Sequence, residues 1–216
     1  MSILIISAGP SCAPLEGPYD AAGFDAAWEA YLHADAQPPQ ERKIAPGGRK
    51  VYVAEDPLAL SSARGILETD EITPEPLLNE VQVRSCAGTS RVLPVKKWLR
   101  KAASQRRSGS PGQPESLRQL RERADILIRK LEAEQGDQLL VTCPLFLAVL
   151  LDSFRIHNYV IQRSGLLSIQ PWEKIIISRK DEHCGGCQHN CFLSNPGCGV
   201  GRDKAMRISN QGKKTI

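Results

Sequence analysis

The chain has 216 residues, 41% hydrophobic and 24% charged, enough apolar material to bury one sizeable core, and no apolar run approaches the about eighteen residues that span a bilayer. The net charge of +4 is modest. The first residues, Met1 to Ile6, lack the basic leader and long apolar stretch of a secretory signal, so a cytoplasmic location is expected.

Ile3 to Ser7 reads as a short buried strand closed by Ala8-Gly9-Pro10, and Ala21 to His33 as a helix. Lys50 to Ala54 is a second strand, and Pro57 to Thr69 a helix with proline in its first turn. Pro94 to Ser104 forms a basic helix, and Gln105 to Pro114, rich in Ser, Gly and Pro, a flexible linker. Leu117, Leu120, Ala124, Leu127, Ile128 and Leu131 share one helical face, and Gly136 ends that helix. Gln138 to Thr142 is a buried strand that feeds Cys143-Pro144 and a helix from Leu145 to Phe154. Gly165 to Arg179 reads as a hairpin interrupted by Pro171. The alternation predicts a three-layer α/β domain over residues 1–180 with a mostly parallel sheet.

Two compositional features stand out from this frame. Between Glu80 and Glu115 lie Arg84, Arg91, Lys96, Lys97, Arg100, Lys101, Arg106 and Arg107 with no acidic residue among them. This segment, Arg84 to Arg107, is expected to meet a protein partner or an anionic ligand. Nucleic acid is disfavoured, because only Trp98 is at hand for base stacking and no nucleic-acid motif is present.

The second feature is a cysteine cluster at Cys184, Cys187, Cys191 and Cys198, spaced C-x2-C-x3-C-x6-C across residues 181–205. Four thiolates held that close repel one another unless a cation or cluster sits between them, and glycines beside them let the backbone wrap such a centre. The total of seven cysteines is odd, with Cys12, Cys86 and Cys143 scattered singly, which argues for a metal site over a full disulfide framework. Three ligands within eight residues resemble the loops that wrap an iron-sulfur cluster, and four cysteines also suit zinc, so Zn2+ and a 4Fe-4S cluster both stand. His183 and His189 are left out of the ligand set. Residues 206–216, polar and basic, are read as a flexible tail.

The order of elements carries a resemblance. A first strand ending in a glycine turn, a second strand followed by Leu58-Ala59-Leu60-Ser61-Ser62-Ala63, the segment Leu77-Leu78-Asn79-Glu80, a long amphipathic helix and the strand Leu139 to Thr142 leading into Cys143-Pro144 together resemble the histidine phosphatase, or phosphoglycerate-mutase-like, superfamily. The resemblance covers residues 1 to 180 in order and spacing, and rests on pattern more than identity. It implies a phosphate pocket with an Arg-His-Gly motif, here occupied by Ser7, Ala8 and Gly9. The second pocket arginine of that family falls on Leu58, and the second histidine on Cys143. Glu80 alone keeps the position that often supplies the proton donor.

Replacing two arginines and two histidines by Ser7, Leu58, Ala8 and Cys143 removes the electrostatics on which phosphoryl transfer depends. Cys143 lacks the glycine- and arginine-bearing loop that a cysteine phosphatase needs, and reads as a small buried residue. The expected function is therefore a catalytically inactive, pseudophosphatase scaffold whose four-cysteine site serves stability or partner binding. Two alternatives are an iron-sulfur redox or sensing protein on the same scaffold, and a divergent hydrolase built round Glu80 and Cys143.

Overall fold

The computed structural model describes residues 2–86, 91–165 and 168–180. The expected ligands Cys184, Cys187, Cys191 and Cys198 lie outside these residues. Among the described residues, eight strands and five α-helices follow in order: β1 (Ser2–Ser7), β2 (Pro18–Tyr19), α1 (Ala21–His33), β3 (Lys50–Val53), α2 (Pro57–Ile66), β4 (Thr73–Pro74), β5 (Leu93–Pro94), α3 (Val95–Ser108), α4 (Leu117–Ala133), β6 (Gln138–Thr142), α5 (Pro144–Ile156), β7 (Tyr159–Gln162) and β8 (Lys174–Arg179).

The main sheet runs β4-β3-β6-β1-β8-β7. Its β4-β3, β3-β6 and β6-β1 pairings are parallel, and only β8 opposes its neighbours β1 and β7. Central strand β6 is buried at all five positions, as a strand covered on both faces must be. The chain crosses from β1 towards β4 through α1 and α2, and returns to β6 and β7 through α4 and α5. Right-handed crossovers place these pairs on opposite faces, and α1 packs on α2 while α4 packs on α5. The fold is thus the expected three-layer α/β arrangement with a mostly parallel sheet.

A second apolar cluster lies beside the main core: Phe24, Trp28 and Leu32 of α1 with Val83, Cys86, and Trp98 and Ala102 of α3. Phe24 stacks on Trp98 with centroids 5.5 Å apart, and the Trp98 indole donates to the Tyr19 carbonyl at 3.0 Å. These contacts anchor α3.

Three local expectations change. Helix α3 continues through Ser108 because Arg106 turns inward and Gly109, at φ +68°, supplies the left-handed cap. The segment read as a flexible linker is pinned by Gln113, whose amide donates to the Arg84 carbonyl and to Gln105 Oε1 at 2.8 Å each. In the segment read as a hairpin from Gly165, the described residues 168–173 form no strand and lead into β8, which pairs with β1 and with β7, a strand upstream of that segment. That partner follows α5 directly, because Asn158 at φ +63° reverses the chain in a single tight turn.

Candidate functional site

The positions singled out from the sequence converge at the carboxyl ends of β3, β6 and β1, where α/β sheets commonly place their ligands. Ser7 ends β1, Cys143 follows β6, Leu58 sits in the first turn of α2 after β3, and Glu80 follows the single helical turn Pro76–Leu78. Hydrogen bonds draw these ends together: Ala8 N donates to the Thr142 carbonyl at 2.9 Å, Ala54 N to the Val141 carbonyl at 3.0 Å, and the Thr142 hydroxyl to the Leu78 carbonyl at 2.7 Å.

The loop after β1 is covered. Gly9 N donates to Ser62 Oγ at 2.9 Å, and Ser62 in turn donates to the Leu58 carbonyl. Above Gly9 lies the indole of Trp172, so close that a Cβ on residue 9 would stand 2.0 Å from Cζ2 and 2.4 Å from Cε2. Glycine is therefore required here by the packing of an aromatic ring. Trp172 itself adopts φ +62°, a costly conformation for a bulky residue.

Its loop is held firmly enough to impose that conformation. The Glu173 carboxylate accepts from Arg163 Nε at 3.0 Å and Arg163 Nη2 at 2.9 Å, and from the backbone N–H groups of Gly165 and Gln170. Because β8 runs antiparallel to β1, it enters the sheet where β1 leaves it. Trp172 N donates to the Ser7 carbonyl, and Ser7 N to that of Glu173.

Ser7, Ala8, Leu58 and Cys143 are all buried, and none carries a charge that could hold phosphate. The Cys143 thiol is pushed well above its ordinary range, first by burial and then by the charges of Glu80 and Asp56. That is the reverse of what an attacking thiolate needs.

Glu80 is buried and serves a structural end. Its Oε1 accepts from Val81 N at 2.7 Å and Phe146 N at 2.6 Å, and its Oε2 from Leu145 N at 2.9 Å. Leu145 and Phe146 belong to the first turn of α5, whose N-cap Cys143 makes no side-chain cap bond. Glu80 thus caps that helix from a distant part of the chain. Burial raises its pKa from 4.5 to about 7, the three N–H donors oppose the rise, and Asp56 adds to it. Asp56 Oδ2 accepts from Glu80 N at 2.6 Å, and burial raises its own pKa.

Two cations lie within electrostatic range of Glu80: Arg106 of α3, expected from the sequence to face a partner but buried here, and Arg123 of α4, which the sequence did not single out. Both are committed elsewhere. Arg123 donates to the Asn79 carbonyl at 2.7 Å and to Glu115 at 3.0 Å, and stacks over Phe146 with 4.1 Å from guanidinium to ring centroid. Arg106 is 8% exposed and reaches Gln113 Oε1 at 3.5 Å. For Arg106 a signal existed in the spacing, since it falls on the Trp98-Ala102 stripe of α3.

Among the described residues no group of three or more His, Cys, Asp or Glu is placed to hold a metal ion. A separate cleft of about 710 Å³ opens at the amino ends of β3 and β4, lined by Gly47, Gly48, Arg49, Asp70 and Thr73 among others. It includes none of the predicted site residues.

No protein-family model matches the chain, and no curated protein matches it. Solved structures do. A mutant phosphoserine phosphatase from Entamoeba histolytica, solved in complex with phosphoserine, aligns at TM-score 0.48 and 15% identity over 72% of this chain and 80% of that one. A protein described as an alpha-ribazole-5'-P phosphatase from Escherichia coli and the alpha-ribazole phosphatase from Shigella flexneri align at TM-scores 0.43 and 0.44, each with 19% identity over 71% of this chain and 79% of theirs. Among the described residues no helix is long and apolar enough to cross a membrane.

Proposed function

We propose that the chain is a non-catalytic member of the histidine phosphatase, phosphoglycerate-mutase-like superfamily, a pseudophosphatase scaffold that carries a four-cysteine metal site for stability or partner binding. The observation that carries the reading is the content of the pocket. Ser7, Ala8, Leu58 and Cys143 stand where the resemblance calls for two arginines and two histidines, and the Trp172 ring lies on Gly9. Phosphoryl transfer depends on cations aimed at the transferring group. The two arginines near Glu80 already bond to backbone carbonyls, to Glu115 and to Gln113.

The metal half of the proposal rests on the spacing of Cys184, Cys187, Cys191 and Cys198. Zinc would make the segment a structural or docking element. A 4Fe-4S cluster would make it redox-active, which is the second reading. The deciding experiment is anaerobic purification of the full chain with assay of iron, sulfide and zinc, beside a variant in which Cys187→Ser and Cys191→Ser are combined. One zinc per chain, lost in the variant, supports the scaffold. Iron and sulfide near four per chain select the second reading, and metal-free protein in both overturns the metal half.

A further inference from the structure

The cations of this molecule are distributed unevenly. Away from α3, several sit against carboxylates: Lys50 with Glu134, Arg118 with Glu122, Arg155 with Asp152, Lys174 with Glu41 and Arg179 with Glu132. Helix α3 carries Lys96, Lys97, Arg100, Lys101 and Arg107, and none of them forms an ion pair among the described residues. The span between Glu80 and Glu115 contains no acidic residue to offer them.

The arrangement is also unfavourable to the helix itself. Lys96 and Lys97 occupy its first turn, where the macrodipole favours acids. Lys96 and Arg100, and likewise Lys97 and Lys101, are like charges at i,i+4 spacing, which destabilises a helix. At about 100° per residue Lys96, Lys97, Arg100 and Arg107 fall opposite the buried stripe of Trp98, Ala102 and Arg106, Lys101 lies at the edge of the same arc with its Nζ 5.8 Å from the Trp98 ring centroid, and the five span about 16 Å along the axis. A helix that breaks local rules on its solvent face and is locked on its inner face by Trp98 presents that charge for use.

We propose that the exposed face of α3 is a docking surface for an acidic polypeptide segment, one whose carboxylates span three turns of this helix. Charge complementarity names the partner as anionic, and the rest of the face selects its class. Trp98, the aromatic residue of the helix, is buried, which removes a stacking platform for bases, and the Gln105 side chain is tied to Gln113 rather than free to read base edges. With a net charge of only +4 the chain has little pull on a long duplex beyond this helix, whereas a short acidic segment needs only the patch.

The experiment measures fluorescence anisotropy of a labelled Glu/Asp-rich peptide of about twelve residues with the full-length protein, beside a short DNA duplex of similar charge, at low and at physiological salt. The combined variant K96Q/K97Q/R100Q/K101Q is expected to lose more than about tenfold in peptide affinity, while its thermal midpoint stays level or rises as like-charge repulsion is relieved. Either pair alone, K96Q/R100Q or K97Q/K101Q, weakens binding severalfold, and the control R118Q/R121Q on α4 leaves it unchanged. Absence of peptide binding by the native chain, equal weakening by the control, or tighter binding of the duplex than of the peptide through the same residues would each overturn the proposal.

Discussion

Glu80 offers the sharpest test of how this pocket is built. Its carboxyl has a pKa of about 7 in the folded chain against an ordinary 4.5, with burial the leading cause. In the unfolded chain the ordinary value returns. Between these values the native state holds a proton that the unfolded state has lost, so stability falls as pH rises from about 4.5 through 7 and is fully retained below that window. A shift of about 2.5 units corresponds to about 3 kcal/mol, and Glu80 is shielded well enough that no discount for solvent screening applies. Glu80→Gln removes the titration but keeps one oxygen to accept from the α5 turn. Urea unfolding of both proteins across pH 5 to 8 should therefore show the native chain losing about 2.5 kcal/mol of this relative to the variant as pH rises. A difference that stays constant with pH, or that grows in favour of the native chain, would mean that burial does not dominate and the three N–H donors hold Glu80 ionised.

Other consequences are local to the same site. Gly9→Ala should cost about 2 kcal/mol by overpacking against Trp172, and much less in a Trp172→Ala background; equal costs in both, measured by chemical unfolding, would separate the two residues. Arg163→Ala leaves the buried Glu173 carboxylate without its cation and should destabilise by about 3 kcal/mol, with a change in Trp172 fluorescence that a remote surface substitution would not produce. Iodoacetamide followed by peptide mass spectrometry should label exposed Cys12 in the native chain and Cys143 only after unfolding; early labelling of Cys143 would contradict its burial and raised pKa.

What was legible in the chain was whatever repeats locally. The apolar faces of α1 and α4, the buried run Leu139 to Val141 and the proline-led starts of α2 and α5 all announced themselves by period or by capping chemistry. Strand β7 did not, since Tyr159 to Gln162 follows α5 after only His157 and Asn158 and carries no clean alternation of its own. The inward turn of Arg106 was marked only by its place on the Trp98-Ala102 stripe, a signal masked by the basic residues around it, which read as solvated.

The site divides along the same line. Convergence of Ser7, Leu58, Glu80 and Cys143 was expected only through the pocket that the family resemblance implies. The use made of them was not. Glu80 caps a helix whose first turn lies 65 residues away in sequence, and Trp172 covers Gly9 from the far end of the fold. The second of these contacts depends on β8 entering antiparallel beside β1, a pairing that no local pattern encodes.

The proposed scaffold role requires that this pocket carry out no phosphoryl transfer. The direct measurement is hydrolysis of p-nitrophenyl phosphate and phosphoserine by the full-length chain from acid to mild alkali, with native protein and the Glu80→Gln variant side by side. No turnover above buffer is expected for either protein at any pH. Turnover by the native chain that disappears in the variant would contradict that role.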